Sequence, residues 1–264
     1  MPRPPRFFIT PEQVSGLSIV VSGEDVRHIA SVLRMKTGDE LLLCDGAGTE
    51  YVAKIASLDR AEIRTEILSR SVSKSGFPSI ILGQGLPKSD KMDLIVQKAT
   101  ELGVAGIVPL ITERTIMKIR DEEKRLVRWK KIAREAAMQS NRPDIPFIEP
   151  IRSFQEFILS PHPGPLSLGP EVLASDPRIL RILPWEEGTD PLKNVLRQNK
   201  GVGTVCILIG PEGGFSRAEA AWAQEQGFHA VSLGPTILRT ETAAIAALSM
   251  IGYELFSPEE RGCP

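Results

Sequence analysis

The sequence predicts an α/β protein whose larger part carries a mostly parallel sheet, preceded by a small β-rich unit. Three observations carry that expectation. From residue 79 onward, short apolar runs alternate with segments of helical period, which is how strand–helix–strand units read. Residues 1–72 instead carry short alternating runs separated by tight turns, as a small barrel does. Between the two, Ser69–Pro78 is polar and holds Gly76 and Pro78, a linker composition. The expected domains are therefore 1–72 and 73–264.

In the first domain, Leu17–Val21 reads as a strand and Glu24–Arg34 as a short helix with Val26, Ile29, Ala30 and Leu33 on one side. Thr37-Gly38-Asp39 ends that helix. Glu40–Cys44 and Thr49–Ser57 form a hairpin around Asp45-Gly46, a strong turn dipeptide. Ala61–Leu68 alternates and adds another strand. In the second domain, Ile80–Leu86 is a strand and Asp90–Leu102 a helix, capped by Ser89 or Asp90 and stopped by Gly103. Gly106–Ile111 is the next strand. Asp121–Ser140 is a long helix with Leu126, Trp129, Ala133 and Ala136 inward. Phe147–Glu149 is extended, Phe154–Leu159 and Pro191–Gln198 are helical, and Pro161, Pro163, Pro165 and Pro170 mark loops. The strand Thr204–Ile209, the helix Ser216–Gln226, the strand Ala230–Leu233 and the helix Thr240–Phe256 complete the chain.

Composition excludes several function classes. A net charge of −1 gives no global attraction to nucleic acid, so any such attraction is local. Cys44, Cys206 and Cys263 form no CxxC pair, and His28, His162 and His229 show no ligand spacing. The expectation is a reduced, cytoplasmic protein without structural disulfides and without a metal. No apolar run reaches the length of a membrane span, and the amino terminus lacks the apolar stretch of a secretion signal.

The chemistry concentrates in two stretches. Ile207-Leu208-Ile209-Gly210-Pro211-Glu212-Gly213-Gly214-Phe215-Ser216 is a strand running into a glycine turn and then a helix, with Ser216 and Glu219 spaced as a capping box. Such a turn lies at the carboxyl edge of a parallel sheet, where ligands bind in open α/β folds. Without a following Gly-Lys-Ser/Thr it is no phosphate loop. Its acid, Glu212, disfavours phosphate and tolerates a cationic ligand. A tight connection without any ligand reads equally well from the glycines alone. The second stretch, Leu233-Gly234-Pro235-Thr236-Ile237-Leu238-Arg239-Thr240-Glu241-Thr242-Ala243, ends another strand and opens a helix with Thr240 as N-cap. That helix is apolar on nearly every face and reads as buried all round. Arg239 stands as a cation at the site edge, or else as half of a structural ion pair.

These two stretches, LIGPEGGFS (208–216) and SLGPTILRTETAAIAAL (232–248), resemble the carboxyl-terminal signature of the RsmE-type 16S ribosomal RNA (uracil-N3) methyltransferases of the SPOUT superfamily. KSDKMDLIVQKATELGVAGIVPLITERT (88–115), RWKKIAREAAMQSNR (128–142) and RHIASVLRMKTGD (27–39) are similar to the same family, so the likeness spans most of the chain. It departs from the family pattern at Arg27, at Pro235-Thr236 and at Met138.

The resemblance implies an amino-terminal PUA-like barrel and a carboxyl-terminal SPOUT domain with a trefoil knot. It implies S-adenosyl-L-methionine as cofactor, a homodimer joined in part through the last helix, and a uridine in the decoding region of 16S rRNA or the small ribosomal subunit as substrate. Cofactor binding would fall to Leu208, Ile209, Gly210, Pro211, Glu212, Gly213, Gly214, Leu233, Gly234, Ile237, Leu238, Thr240 and Thr242. N3 of uracil must lose its imide proton before it accepts a methyl group. Arg239 is the candidate for stabilising charge on the base, with Glu241 or Glu101 as proton acceptor; Glu241 reads equally well as a helix-dipole partner. Phosphate contacts would come from Arg34, Lys36, Lys88, Arg114, Lys124, Arg128, Lys131, Arg134 and Arg142. From the pattern alone, the basic face of the long helix is a solvated surface. Two other classes compete: an RNA-binding assembly factor without catalysis, and a nucleotide phosphotransferase, which the missing Lys-Ser/Thr disfavours.

Overall fold

The computed structural model describes residues 4–72, 78–88, 90–116, 121–159 and 178–256. The chain divides into one compact unit of Met1–Lys74 with Ala137–Ile145, and a second of Ser75–Ala136 with Pro146–Pro264. The sequence reading assigns 137–145 to the second domain, whereas the structure groups them with the first. The reason is packing within that unit. Ala137 is buried with Phe8 and Cys44, Met138 and Ile145 lie against them, and Ile145 N–H donates to Gly46 O at 3.0 Å.

The first unit is a six-stranded sheet. Its strands are β1 (Arg6–Phe8), β2 (Val14–Ser15), β3 (Ser18–Ser22), β4 (Glu40–Cys44), β5 (Thr49–Leu58) and β6 (Glu62–Val72), in the spatial order β1-β4-β5-β6-β3-β2. All pairs are antiparallel except β1 on β4. The order is an open path with β1 and β2 at its ends. Alternate residues of the strands fill one core of Ile19, Val21, Leu41, Leu43, Ala53, Ile55 and Ile63, closed by Val26 and Ile29. Ser69–Val72, expected as linker, extends β6 opposite Thr49–Val52. These residues are exposed, so pairing there needs no apolar face. The helix expected over 24–34 is shorter. α1 (Glu24–Arg27) passes into a π-helical turn, His28–Val32, with Leu33 N–H on His28 O at 2.9 Å, and Arg34 leaves it at a φ of 54°.

The second unit is an eight-stranded sheet in which every pairing is parallel. Its members are β7 (Ser79–Gly85), β8 (Gly106–Ile111), β9 (Phe147–Ile148), β10 (Arg152–Ser153), β11 (Ile179–Pro184), β12 (Asp190–Pro191), β13 (Thr204–Ile209) and β14 (His229–Ser232). The order is β10-β8-β7-β13-β11-β14-β12, with β9 also paired to β8. The helices are α2 (Lys91–Glu101), α3 (Glu122–Gln139), α4 (Phe154–Leu159), α5 (Leu192–Gln198), α6 (Arg217–Glu225) and α7 (Thr240–Leu255). Both faces of such a sheet are covered, so β7, β8 and β13 are near-continuous apolar runs. Ile81, Val108, Leu110, Cys206 and Leu208 from these strands meet Phe154, Phe157, Phe215 and Phe228 in one core. Burial pushes the Cys206 thiol up to about 12 and the Cys44 thiol up to about 11, so both stay neutral.

Three sequence expectations need correction here. β11 was not foreseen: Arg181, buried in its middle, breaks the apolar run. Thr240 is not the N-cap of α7; Arg239 occupies that position and Thr240 opens the helix. Nor is α7 buried all round. Thr240, Ala244, Ala247, Leu248 and Ile251 face inward, while Met250 and Tyr253 are exposed. Asp90 is the N-cap of α2, without a side-chain capping bond, and Gly103 at a φ of 92° ends the helix as expected. Ser89, Cys263, His162 and the four prolines between 161 and 170 lie outside the described residues.

Two close contacts hold the middle of this sheet to its loops. At Gly85, the end of β7, an added Cβ would stand 2.5 Å from Pro211 Cδ, so the glycine admits the turn that follows β13. Above it, the buried Thr240 hydroxyl accepts from Gln84 Nε2 at 2.9 Å and donates to Gly210 O at 2.6 Å. One hydroxyl thereby joins β7, the turn after β13 and the start of α7.

Thr240→Val keeps the shape but leaves Gly210 O without this donor. The expected loss is about 1–3 kcal/mol of unfolding free energy in urea titrations, with Thr240→Ser close to wild type. Gly106→Ala drives a methyl group into the Phe147 ring, 1.8 Å from its Cζ, and is expected to cost at least about 1–3 kcal/mol in the same measurement.

Candidate cofactor site

Four neighbouring strands, β7, β13, β11 and β14, run parallel, so their carboxyl ends lie along one edge. A cavity of about 440 Å³ opens there, within the usual range for small-molecule sites. Its walls are Pro184–Glu186 after β11, Ile209–Glu212 with Gly214 and Phe215 after β13, Ser232–Thr240 after β14, Ala243 on α7 and Lys91 on α2.

The wall after β13 is a tight turn. Gly214 N–H donates to Pro211 O at 2.9 Å, and Gly214 has a φ of 66°, a left-handed conformation that glycine takes without strain. At Gly210 a Cβ would stand 3.0 Å from the Gly214 backbone. The helix that follows is fixed by the expected capping box. Ser216 Oγ accepts from Glu219 N at 3.1 Å and Glu219 Oε2 accepts from Ser216 N at 2.9 Å. Glu219 Oε1 also takes Glu113 N–H at 2.8 Å, so this buried carboxylate ties the loop after β8 to α6.

The acid of the turn is engaged by protein groups. Glu212 accepts from Lys88 N–H at 3.0 and 3.2 Å and stands 3.2 Å from Lys91 Nζ. The same ammonium lies 3.3 Å from Glu241 Oε2, an ion pair without hydrogen-bond alignment. Burial alone would raise the Glu212 carboxyl. Its own N–H, that of Lys88 and the Lys91 ammonium outweigh burial and hold it below the ordinary 4.5. Lys91 is raised in turn, mainly by its hydrogen bond to Glu212.

Most of the residues expected to bind a cofactor meet at this cavity: Ile209, Gly210, Pro211, Glu212, Gly214, Leu233, Gly234, Ile237, Leu238 and Thr240, with Arg239 at its edge. Three do not line it. Leu208 points into the core, as strand alternation requires. Gly213 turns away and its carbonyl accepts from Arg114 Nη1 at 2.8 Å. Thr242 is exposed on α7. Of the candidate proton acceptors, Glu241 is held by Lys91 and is not a lining residue. Glu101 is paired with Lys98 at 2.8 Å at the end of α2, also off the cavity. Arg239 is exposed and makes no ion pair with a described residue, which removes the structural alternative for it among those residues. The sequence reading missed Lys91, Trp185 and Glu186. The signal was present in Pro184-Trp185-Glu186-Glu187-Gly188, a turn composition after an apolar run.

The candidate phosphate contacts are scattered. Arg34 and Lys36 are exposed in the first unit, where Arg142 pairs with Asp144. In the second, Lys124 and Lys131 are exposed and stand 3.9 Å from Asp121 and Glu135, while Arg128 is bound to Asp93 at 2.6 Å. Arg134 is half-buried, and Lys88 and Arg114 are exposed. Of the departures from the family pattern, Met138 packs against the first unit's core and Pro235-Thr236 line the cavity. Among the described residues, no His, Cys, Asp and Glu gather to hold a metal, and no helix is long and apolar enough to cross a membrane.

Residues 74–252 match the RNA methyltransferase domain family and residues 21–68 the RNA methyltransferase PUA domain family. The chain is 32% identical to ribosomal RNA small subunit methyltransferase E of Bacillus subtilis, over 94% of this chain and 96% of that protein. It is 35% identical to the protein of the same name from Aquifex aeolicus, over 92% and 97%. Among solved structures it matches ribosomal RNA small subunit methyltransferase E from Neisseria gonorrhoeae bound to S-adenosyl methionine. There the TM-score is 0.79 and the identity 32%, over 96% and 98% of the two chains. A methyltransferase from Legionella pneumophila described as putative, in complex with the bound cofactor SAM, matches at a TM-score of 0.73 and 31% identity over 95% and 98%. With its PUA-like first unit, its parallel-sheet second unit and likeness over nearly its whole length, the chain belongs to the ribosomal RNA small subunit methyltransferase E family.

Proposed function

We propose that this protein methylates N3 of one uridine in the decoding region of 16S rRNA, in the cytoplasm, with S-adenosylmethionine as methyl donor. The observation that carries the reading is the cavity at the carboxyl edge of β13, β11 and β14. It combines the side-chain-free Gly210, Gly214 and Gly234 with apolar walls and a guanidinium that pairs with no acid among the described residues. Relatives with bound donor support the cofactor.

The residues fit that donor. Ile209, Ile237 and Leu238 supply apolar surface for a purine, and the open space over Gly234 admits close approach of polar groups. When bound, S-adenosylmethionine supplies an electrophilic methyl group. The protein's own part is to position the base, exclude water behind it and stabilise the imide anion. Arg239 carries the last role: its backbone is the N-cap of α7, and its guanidinium, at the cavity edge, neutralises charge developing on the uracil oxygens. The imide proton leaves through water at the cavity mouth, with Glu241, ion-paired to Lys91 and two residues from Arg239, as the candidate acceptor in the chain. Glu101 has no part in this reading. The basic side chains Arg34, Lys36, Lys88, Lys124 and Lys131 give sequence-independent affinity that weakens with salt. The homodimer of this reading uses the exposed side of α7, where Tyr253 is 88% and Met250 41% exposed.

Purified protein incubated with labelled donor and either free 16S rRNA or the small subunit, followed by nucleoside mass spectrometry, tests the reaction. 3-Methyluridine in one of them is expected, and its absence from both overturns the reading. Arg239→Ala is expected to keep its melting temperature while kcat falls about 10²–10³-fold; near-normal turnover removes Arg239 from the chemistry. Tyr253→Glu is expected to convert a dimer to a monomer in sedimentation, and a wild-type monomer excludes this interface.

A further inference from the structure

We infer that Glu186 is the carboxylate that meets the positive charge of the methyl donor. The inference rests on the reading above and goes beyond it by naming what distinguishes the charged donor from uncharged relatives.

Four acids stand in or beside the cavity, and three are committed elsewhere. Glu212 is held by Lys88 N–H and Lys91, and Glu241 lies 3.3 Å from the same ammonium. Glu187 accepts from Arg217 Nε at 3.0 Å. Glu186 lines the cavity and makes no hydrogen bond or ion pair with any described residue. The acid in the glycine turn is therefore not the one that answers a cationic ligand.

The position of Glu186 is built. Trp185 N–H donates to Val231 O at 3.0 Å, anchoring the turn to β14, and Gly188 N–H closes it on Trp185 O at 3.0 Å. A Cβ at Gly188 would come within 2.8 Å of Val231 O, so the turn lies directly on that strand. Glu186 takes the first central position. Its Oε2 and Oε1 lie 3.4 and 3.8 Å from where a Cβ on Gly214 would stand. The carboxylate thus faces the glycine turn with no side chain between. Arg239 lies on a different wall of the same cavity, so the two charges without a partner among the described residues are supplied by separate loops.

Calorimetry on the full-length protein tests this with three probes of one adenosine scaffold. S-Adenosylmethionine carries a sulfonium and an ammonium, S-adenosylhomocysteine only the ammonium, and 5′-methylthioadenosine neither. Glu186→Gln is expected to weaken S-adenosylmethionine about 10- to 100-fold and to leave methylthioadenosine within about twofold. Glu186→Asp should recover part of the loss, and Glu187→Gln should match wild type. A parallel loss for S-adenosylhomocysteine locates the carboxylate at the ammonium, and an unchanged value locates it at the sulfonium; both support the inference. Unchanged donor affinity in Glu186→Gln, or an equal loss for methylthioadenosine, overturns it. Failure of the wild type to bind S-adenosylmethionine at all overturns the proposed function instead.

Discussion

The hydroxyl of Thr240 is the interaction on which the rest of the site depends. It is buried, it accepts from the buried Gln84 amide of β7, and it donates to Gly210 O at the end of β13. A hydroxyl has one proton to give, and here that proton is spent on the carbonyl that begins the glycine turn. Because the two strands are adjacent and parallel, the bond locks the start of α7 over the sheet edge and holds Arg239, one residue earlier, at the cavity rim. Gly210 is half-buried, so a lost partner would leave a partly desolvated acceptor without its donor.

Lys91 does for charge what Thr240 does for the backbone. One ammonium sits between Glu212 of the glycine turn and Glu241 of α7. The glycine turn and the first turn of α7 each carry an acid, and without the cation between them the two would repel. The depressed carboxyl of Glu212 and the raised ammonium of Lys91 are two expressions of this arrangement. Lys91 is partly exposed, so its contribution is to local geometry more than to global stability.

Much of the fold was legible in sequence because its strands and helices obey simple periods. β4, β8, β13 and α4 match their expected limits, and the Ser216–Glu219 box caps α6 as spaced. What escaped did so for physical reasons. β11 carries Arg181 in a run that is otherwise apolar, and tertiary burial of a charge has no sequence period. Its loss to the reading hid the Trp185–Glu186 wall with it. Nothing in the sequence singles out Lys91, because its two partners lie far away in sequence. The apolar helix α7 was read as buried all round since composition does not separate a face covered by the chain's own sheet from one left outside. The site itself was half legible: glycines and Arg239 announce it, but the pairing state of its acids depends on three-dimensional neighbours.

That pairing state bears on the choice among ligands. Lys91 and Arg239 are the cations of the cavity lining, and Glu186 and Glu212 its acids. Once Lys91 and Glu212 are matched, one guanidinium and one carboxylate remain without a partner among the described residues, on different loops. A polyphosphate would satisfy Arg239 and be repelled by Glu186. A neutral ligand would leave both solvated and gain nothing from either. A cationic methyl donor beside a base that becomes anionic as its imide proton leaves uses both charges at once, each against its opposite. The cavity's residual charge pattern thus argues for two reacting partners of opposite polarity, independently of the glycine turn.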